Sequence, residues 1–243
     1  LRISGLPKLN FLRRLLWKIS SKKIHKVTCP TELTKKNLES FNIFKSSQLT
    51  TLYDPIFSNK DFIKRHNDTK FKEKFLLSAG RLTSQKNFSL LIEAFDKFKL
   101  SDTKLYIAGE GEEKNKLLNL INKKNLSDKV KLIGYRSDLF ELMNKCECFI
   151  LTSKWEDPGF VLIEAAYCRT PILSSDAWPG PVELIKNNYN GVVFETSNMN
   201  SFLKKFEIFS NLKKHENFRL NNLRMCRKFT LYSHYNKLIN LIN

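Results

Sequence analysis

An arginine and a lysine five positions apart, Arg81 and Lys86, stand in the run Gly80-Arg81-Leu82-Thr83-Ser84-Gln85-Lys86-Asn87, between an apolar stretch (FLLSA) and an amphipathic one (FSLLIEAFDKF). At a strand-to-helix turn such a cation pair can face a diphosphate. Arginine brings a planar fork of donors, lysine a mobile point charge, and the helix start adds oriented N–H groups. The plain alternative is a solvated basic turn. A second run, Trp155-Glu156-Asp157-Pro158-Gly159-Phe160-Val161-Leu162-Ile163-Glu164, follows the apolar CFILTS and leads into another helix. Glu156 falls in the loop, Glu164 about two turns into the helix, and Gly159 lets the backbone approach a ligand at the helix start. Taken alone, Glu156 also reads as an ordinary carboxylate favoured by the helix dipole. Glu164 is harder to dismiss, because its neighbours are Leu162, Ile163, Ala165 and Ala166, and a carboxylate in apolar company usually has a partner. Together the two runs offer acceptors for ribose and sugar hydroxyls and bare N–H groups for phosphate, which is what a sugar nucleotide requires.

These residues need a scaffold that brings the two loops together. From Phe75 the chain alternates short apolar strands with amphipathic helices: FLLSAGRL, FSLLIEAFDKF, KLYIAG, EKNKLLNLINKKNL, VKLIG, SDLFELMNKC, CFILTS, FVLIEAAYC, PILSS, GPVELIKN and GVVFE. This is a βα repeat, and strands that are apolar throughout are covered by helices on both faces. The expected fold is α/β, with a parallel, doubly wound sheet of about six strands. Ligands of such sheets lie beyond the carboxyl ends of the strands, where both runs fall. Before Asp54 and Pro55 lies a different, incomplete unit: a basic helix from about Lys8 to Ile24, a strand KVTC, a helix from Thr31 to Phe41 and a strand QLTTLY. Two strands do not make an independent sheet domain. The polar segment Ser58 to Lys74 reads as a linker. After Phe194 the chain is mainly helical and ends in KFTLYSHYNKLINLI, whose spacing fits a packed amphipathic helix.

Composition narrows the function classes. With 243 residues, 42% of them hydrophobic, the chain can bury one sizeable core and part of a second. A formal net charge of +18, from 42 Lys+Arg against 24 Asp+Glu, points to anionic partners. Much of that excess is lysine among abundant Asn, Ile and Phe, as an AT-rich coding sequence also produces. The five cysteines (Cys29, Cys146, Cys148, Cys168, Cys226) follow no CxxC spacing and read as reduced and structural, hence cytosolic. No apolar run approaches the roughly 18 residues of a membrane-spanning helix, and nothing resembles a signal peptide. The basic residues are scattered, with no aromatic RNA-binding signature or DNA-reading helix pair, so no nucleic acid is expected. The chain starts at Leu1 without a Met, and an amino-terminal part is expected to be missing.

Gly80-Arg81-Leu82 followed by Lys86, and the E-x7-E element Glu156 to Glu164, resemble the family-4 group of retaining glycosyltransferases with the GT-B fold (glycosyl transferases group 1). The order of further elements agrees: Gly109-Glu110-Gly111 after the second strand, Gly134-Tyr135 after the third, and Gly180-Pro181-Val182-Glu183 opening a late helix. The resemblance implies two Rossmann-like domains: residues 1–57 as the end of an acceptor domain, 58–220 as the donor domain, and 221–243 as a carboxyl-terminal helix. It implies that Arg81 and Lys86 bind the donor diphosphate. Glu156, with Gly80, Pro158 and the backbone of Gly159, Phe160 and Val161, would contact the donor sugar and phosphates. Glu164 would hold the ribose, and Tyr135 and Arg136 would lie beside the base. No metal and no other cofactor is expected, because the two cations take a metal's electrostatic role.

By the same resemblance, a hexose would pass from a nucleotide sugar to a glycan or lipid-linked acceptor with retention of configuration. The run Ser175-Asp176-Ala177-Trp178-Pro179-Gly180-Pro181 departs from the family's usual glycine pair, in a variant that favours bacterial surface polysaccharide or lipid-carrier oligosaccharide synthesis. Glu183 is a weaker site candidate, with a helix-start carboxylate as its plain explanation. His25, His66, His215 and His234 match none of the acceptor-domain motifs, so this chain should bind donor better than it turns it over. The basic helix could rest on an anionic bilayer or pack in the missing domain; the expected location is cytoplasmic, peripheral at the inner membrane face. The rivals are a nucleotide-sugar epimerase of the same fold and a basic nucleic-acid or membrane-surface binding protein.

Overall fold

The structure, a computed structural model, describes residues 1–3, 11–58, 73–98, 100–211 and 215–242. Most of the expected linker, the first residues of the expected basic helix and His66 lie outside the described residues. The first unit contains α1 (Phe11–Ser21), β1 (Val27–Cys29), α2 (Glu32–Ser40) and β2 (Leu49–Thr51). β1 and β2 pair in parallel, and Arg2 bridges to Thr28 alongside them. Their small core is Ile3, Val27, Cys29, Leu38, Ile43, Phe44 and Leu49, with Trp17 of α1 packed against it. The basic helix thus turns Trp17 inward, while Phe11, Leu12, Leu15, Leu16 and Ile19 are exposed. α2 begins where Thr31 caps it, its hydroxyl accepting from the Thr34 N–H, which satisfies one of the four amide groups every helix start leaves open.

The second unit is built on β3 (Lys74–Ala79), β4 (Thr103–Ala108), β5 (Val130–Gly134), β6 (Cys148–Leu151), β8 (Ile172–Ser175) and β10 (Val192–Phe194). Between β6 and β8 the chain forms a two-residue strand β7 (Trp155–Glu156), and after β8 another, β9 (Trp178–Pro179), which pair with each other. The six strands are parallel in the order β10-β8-β6-β3-β4-β5. The chain therefore runs outward from β3 through β4 to β5, returns, and runs outward the other way from β6. That reversal opens a crevice between the carboxyl ends of β3 and β6.

Helices α3 (Phe88–Lys97), α4 (Lys114–Lys123) and α8 (Met199–Asn211) cover one face of the sheet. α5 (Leu139–Lys145), α6 (Phe160–Tyr167), α7 (Gly180–Leu184) and part of α9 (His215–Cys226) cover the other. Along β3, Leu76 joins the first layer while Phe75, Leu77 and Ala79 join the second, the period-two alternation of a strand buried on both sides. Phe149, Ile150 and Leu151 of β6 are likewise buried, each contributing about 1.5–3 kcal/mol. The aromatic-rich sequence fills the layers with stacked rings, Phe98 on Phe206 at 3.6 Å and Phe57 on Tyr167 at 3.9 Å.

The carboxyl-terminal segment returns to the start of the sheet unit. The Phe229 carbonyl accepts from the Ile56 N–H, and the Leu231 N–H donates to the Phe57 carbonyl. The final helix α10 (Leu231–Ile242) follows. It was expected to pack through its apolar stripe, and it does so in part: Leu238, Ile239 and Leu241 are half-buried, while Leu231, Tyr232, Tyr235 and Ile242 are exposed. The anchor is the fully buried Phe229 just before it, with the His234 ring nitrogen Nδ1 2.7 Å from the Tyr53 carbonyl. No described helix is long and apolar enough to cross a membrane.

Candidate functional site

Three hydrogen bonds zip the turn after β3 to the segment after β6. Thr152 Oγ1 donates to the Lys86 carbonyl (2.9 Å), the Lys154 N–H to the Gln85 carbonyl (2.8 Å), and Gln85 Nε2 to the Trp155 carbonyl (2.8 Å). They form because β3 and β6 are adjacent, and they place Lys86 against Glu156. Lys86 Nζ is ion-paired with Glu156 Oε1, which also accepts from Ser153 Oγ (2.6 Å). The two charged side chains are only 12% and 8% exposed. Gly80 makes the passage for the lysine: a Cβ there would come 2.9 Å from Lys86 Cε, and its φ of +151° disfavours L side chains.

Glu156 is followed by Gly159, which caps α6 in the left-handed region (φ +88°) and lies close under the Glu156 side chain. This turn aims the amino end of α6, whose first amides have no acceptor within the helix, at the same space. Glu164 stands on the next turns of α6. Burial raises its carboxyl above the usual range, with Lys86 acting in the opposite direction. Arg81, on the other side, is exposed and has no ion-pair partner among the described residues.

These groups line one cavity of about 530 Å³, a size ordinary for small-molecule sites. Its walls include Gly80, Arg81 and Lys86 from the β3 turn, Tyr135 and Arg136 after β5, and Glu156, Gly159, Phe160, Val161 and Glu164 from the β6 loop and α6. Every residue expected there from sequence is on its wall except Pro158. That residue is buried behind the loop, where its carbonyl lies so close to Gly180 that a Cβ would meet it at 2.0 Å. Gln85, Glu110, Leu139 and Asp157 also line the cavity. Position just after a strand is the signal that marks Glu110, while Leu139 opens α5.

Arg136 is engaged already. Its Nε donates to Asp138 Oδ1 (2.7 Å) and its Nη2 pairs with Oδ2, and this fork holds the Asp138 carboxyl below the usual range. Tyr135 beside it is 81% exposed, an aromatic face open to a planar ligand. Glu183 does not reach the cavity. It accepts from the Leu33 N–H (3.0 Å) and the Tyr53 hydroxyl (3.0 Å), and Lys228 Nζ lies 3.9 Å away. Burial, then Glu183, pushes the Tyr53 hydroxyl upward. Glu183 is thus more than the plain helix-start carboxylate its position suggests.

All five cysteines are free and buried, and burial raises Cys29 to about 11. Among the described residues no group of three or more His, Cys, Asp and Glu is placed to hold a metal ion.

Comparison with known proteins identifies the family and the fold. Residues 59–224 match the family model described as glycosyl transferases group 1. A Campylobacter jejuni N-acetylgalactosamine-N,N'-diacetylbacillosaminyl-diphospho-undecaprenol 4-alpha-N-acetylgalactosaminyltransferase is 37% identical over 175 residues, which is 70% of this chain and 47% of that protein. A Staphylococcus aureus poly(ribitol-phosphate) alpha-N-acetylglucosaminyltransferase is 32% identical over 62% of this chain and 31% of its own length. The chain therefore spans about half, or less, of these curated relatives. Among solved structures, a mutant of S. aureus TarM in complex with fondaparinux, alpha-GlcNAc-glycerol and UDP superposes with a TM-score of 0.79 at 26% identity, over all of this chain and 50% of that one. Anabaena HepE in complex with UDP shares the fold, with a TM-score of 0.82 at 17% identity over 97% of this chain and 68% of that one.

Proposed function

Because the chain belongs to the glycosyl transferases group 1 family, we propose that it carries the nucleotide-sugar site of an enzyme that transfers a hexose with retention of configuration. The acceptor is a lipid-linked or polymeric glycan of a bacterial surface. The observation that carries this reading is the convergence of Arg81, Lys86, Glu156 and Glu164 on one cavity at the sheet's topological switch point. In this proposal Arg81 and Lys86 neutralise the diphosphate as the sugar–phosphate bond breaks, a charge stabilisation given by fixed donors in a partly enclosed site. The amino end of α6 receives a phosphate, Glu156 accepts from sugar hydroxyls, and Glu164 from the ribose. Tyr135 and the Arg136 loop flank the base. The acceptor hydroxyl attacks on the face the nucleotide leaves, and a leaving phosphate oxygen takes its proton. The named activities of the Campylobacter and Staphylococcus relatives support a surface-glycan acceptor.

The place of action proposed is the cytoplasmic membrane face. The exposed apolar residues of α1, interleaved with Arg13, Arg14 and Lys18, suit an anionic bilayer, each cation contributing about 1 kcal/mol near the surface. The test of the site is calorimetric titration of UDP, GDP, ADP and dTDP into the chain at moderate salt, with Arg81→Ala as control. Selective binding of one nucleotide, lost in the variant, is the expected outcome. Weak, unselective and salt-sensitive binding would mean that net charge alone holds the ligands.

A further inference from the structure

The loop that carries Glu156 is held from two sides, and one of them is the first unit. Three consecutive hydrogen bonds run from the start of α2 into that loop. The Thr34 N–H donates to Thr31 Oγ1 (3.0 Å), Thr31 Oγ1 to Thr34 Oγ1 (2.8 Å), and Thr34 Oγ1 to Asp157 Oδ2 (2.9 Å). Both threonines are about 1% exposed, so their part of the relay is dry and its members polarise one another, while Asp157 at its end is half-buried on the cavity wall. One residue along α2, the Leu33 N–H holds Glu183. Through the β7–β9 pairing Glu156 stands opposite Pro179, only four positions before Glu183. The amino end of α2 therefore holds the residue that follows β7 and the short helix that follows β9, the two strands of the small sheet that presents Glu156.

We infer that Thr34 is a positioning residue: through Asp157 it sets where the neighbouring Glu156 meets the donor sugar, and so ties sugar recognition to the placement of the first unit. This rests on the donor-site reading above. Of the groups assigned to nucleoside and diphosphate, Arg81, Tyr135 and Glu164 lie on elements of the second unit outside this relay, while Lys86 meets it only through its ion pair with Glu156. The relay should therefore act more on the sugar than on the nucleotide.

The test compares UDP with UDP-N-acetylgalactosamine, and GDP with GDP-mannose, by titration calorimetry on the wild-type chain and on Thr34→Val, Thr34→Ser, Asp157→Asn and the double variant Thr34→Val/Asp157→Asn. Circular dichroism monitors folding. For the pair that binds, Thr34→Val is expected to weaken the sugar nucleotide relative to the free diphosphate by about 5- to 20-fold, part of the worth of a hydrogen bond to a half-buried carboxylate. The diphosphate itself should move less than about twofold, serine should restore the ratio, and the double variant should lose no more than Asp157→Asn alone. Parallel losses for both ligands, or an unchanged ratio in a folded Thr34→Val chain, overturn the positioning role while the donor site stands. A wild-type chain that binds neither pair overturns the donor-site reading and this inference with it.

Discussion

Replacing Lys86 tests the centre of the site from both sides of its ion pair. In Lys86→Met the Glu156 carboxylate, 8% exposed, keeps only the Ser153 hydroxyl among the described residues. Removing one member of a buried pair costs about 3–5 kcal/mol, because the other is left charged and unmatched. At about 2–4 °C per kcal/mol for a chain of this size, that is roughly 6–20 °C in melting temperature. Glu156→Gln should cost less, since lysine's flexible stem can carry its charge to water. The double variant Lys86→Met/Glu156→Gln should recover part of the single loss, with a coupling energy above about 1.5 kcal/mol.

Ligand binding separates the pair further. Lys86→Met removes a charged contact worth about 1.5–3 kcal/mol and should weaken the preferred nucleoside diphosphate about 10- to 150-fold. Glu156→Gln should do the opposite and tighten the free diphosphate by about 1 kcal/mol, roughly fivefold, because the phosphates no longer compete with a carboxylate for Nζ. Thermal melts give the first set of values and titration calorimetry the second. Additive melting shifts, or a Glu156→Gln chain that binds the diphosphate more weakly than wild type, would refute the reasoning.

Glu164 has a carboxyl raised by burial, so the folded state holds its proton more tightly than the unfolded chain. Its favourable contribution is complete below the ordinary carboxylate range and is lost as pH rises through the raised value. Glu164→Gln should accordingly melt higher than wild type at neutral pH, with the difference vanishing in acid, and should weaken nucleoside diphosphates more than pyrophosphate. Gly80→Ala, which must push Lys86 aside, should lower diphosphate affinity and cost about 1–3 kcal/mol of stability from its positive φ, read by calorimetry and melting. The five buried thiols should react with a thiol reagent only slowly in the native chain and promptly in denaturant; five fast native equivalents would contradict their burial.

Much of this architecture was legible because its strands are largely apolar. A run such as CFIL admits burial on both faces and little else, and residues directly after such strands fall at the ligand edge. The pairing of Lys86 with Glu156 was not legible. The two are 70 positions apart and meet only because β6 returns beside β3. Asp157 with Thr34 and Glu183 with Leu33 are longer-range still, and no local pattern encodes them. Pro158 sits in the right run but behind its wall, since adjacent residues of an extended loop face opposite ways. Arg136 was expected beside the base, and its fork to Asp138 two positions later is a local pair that spacing did not reveal. The half-covered stripe of α10 marks the opposite limit: a period of 3.6 predicts a face, while how far it is covered is a tertiary fact.

The cavity's walls all lie between Ala79 and Glu164, so within this chain one uninterrupted stretch spells the walls that the proposed donor would meet. Such a stretch is a natural unit of recombination: a single crossover on each side would move donor preference between enzymes as a cassette. The α2 relay sets a condition on the exchange. A transplanted cassette would arrive with Asp157 but without Thr31 and Thr34, and a recipient whose helix begins with other residues would inherit the nucleotide preference while losing its grip on the sugar. Chimeras designed on this chain should therefore travel with the start of α2 as well.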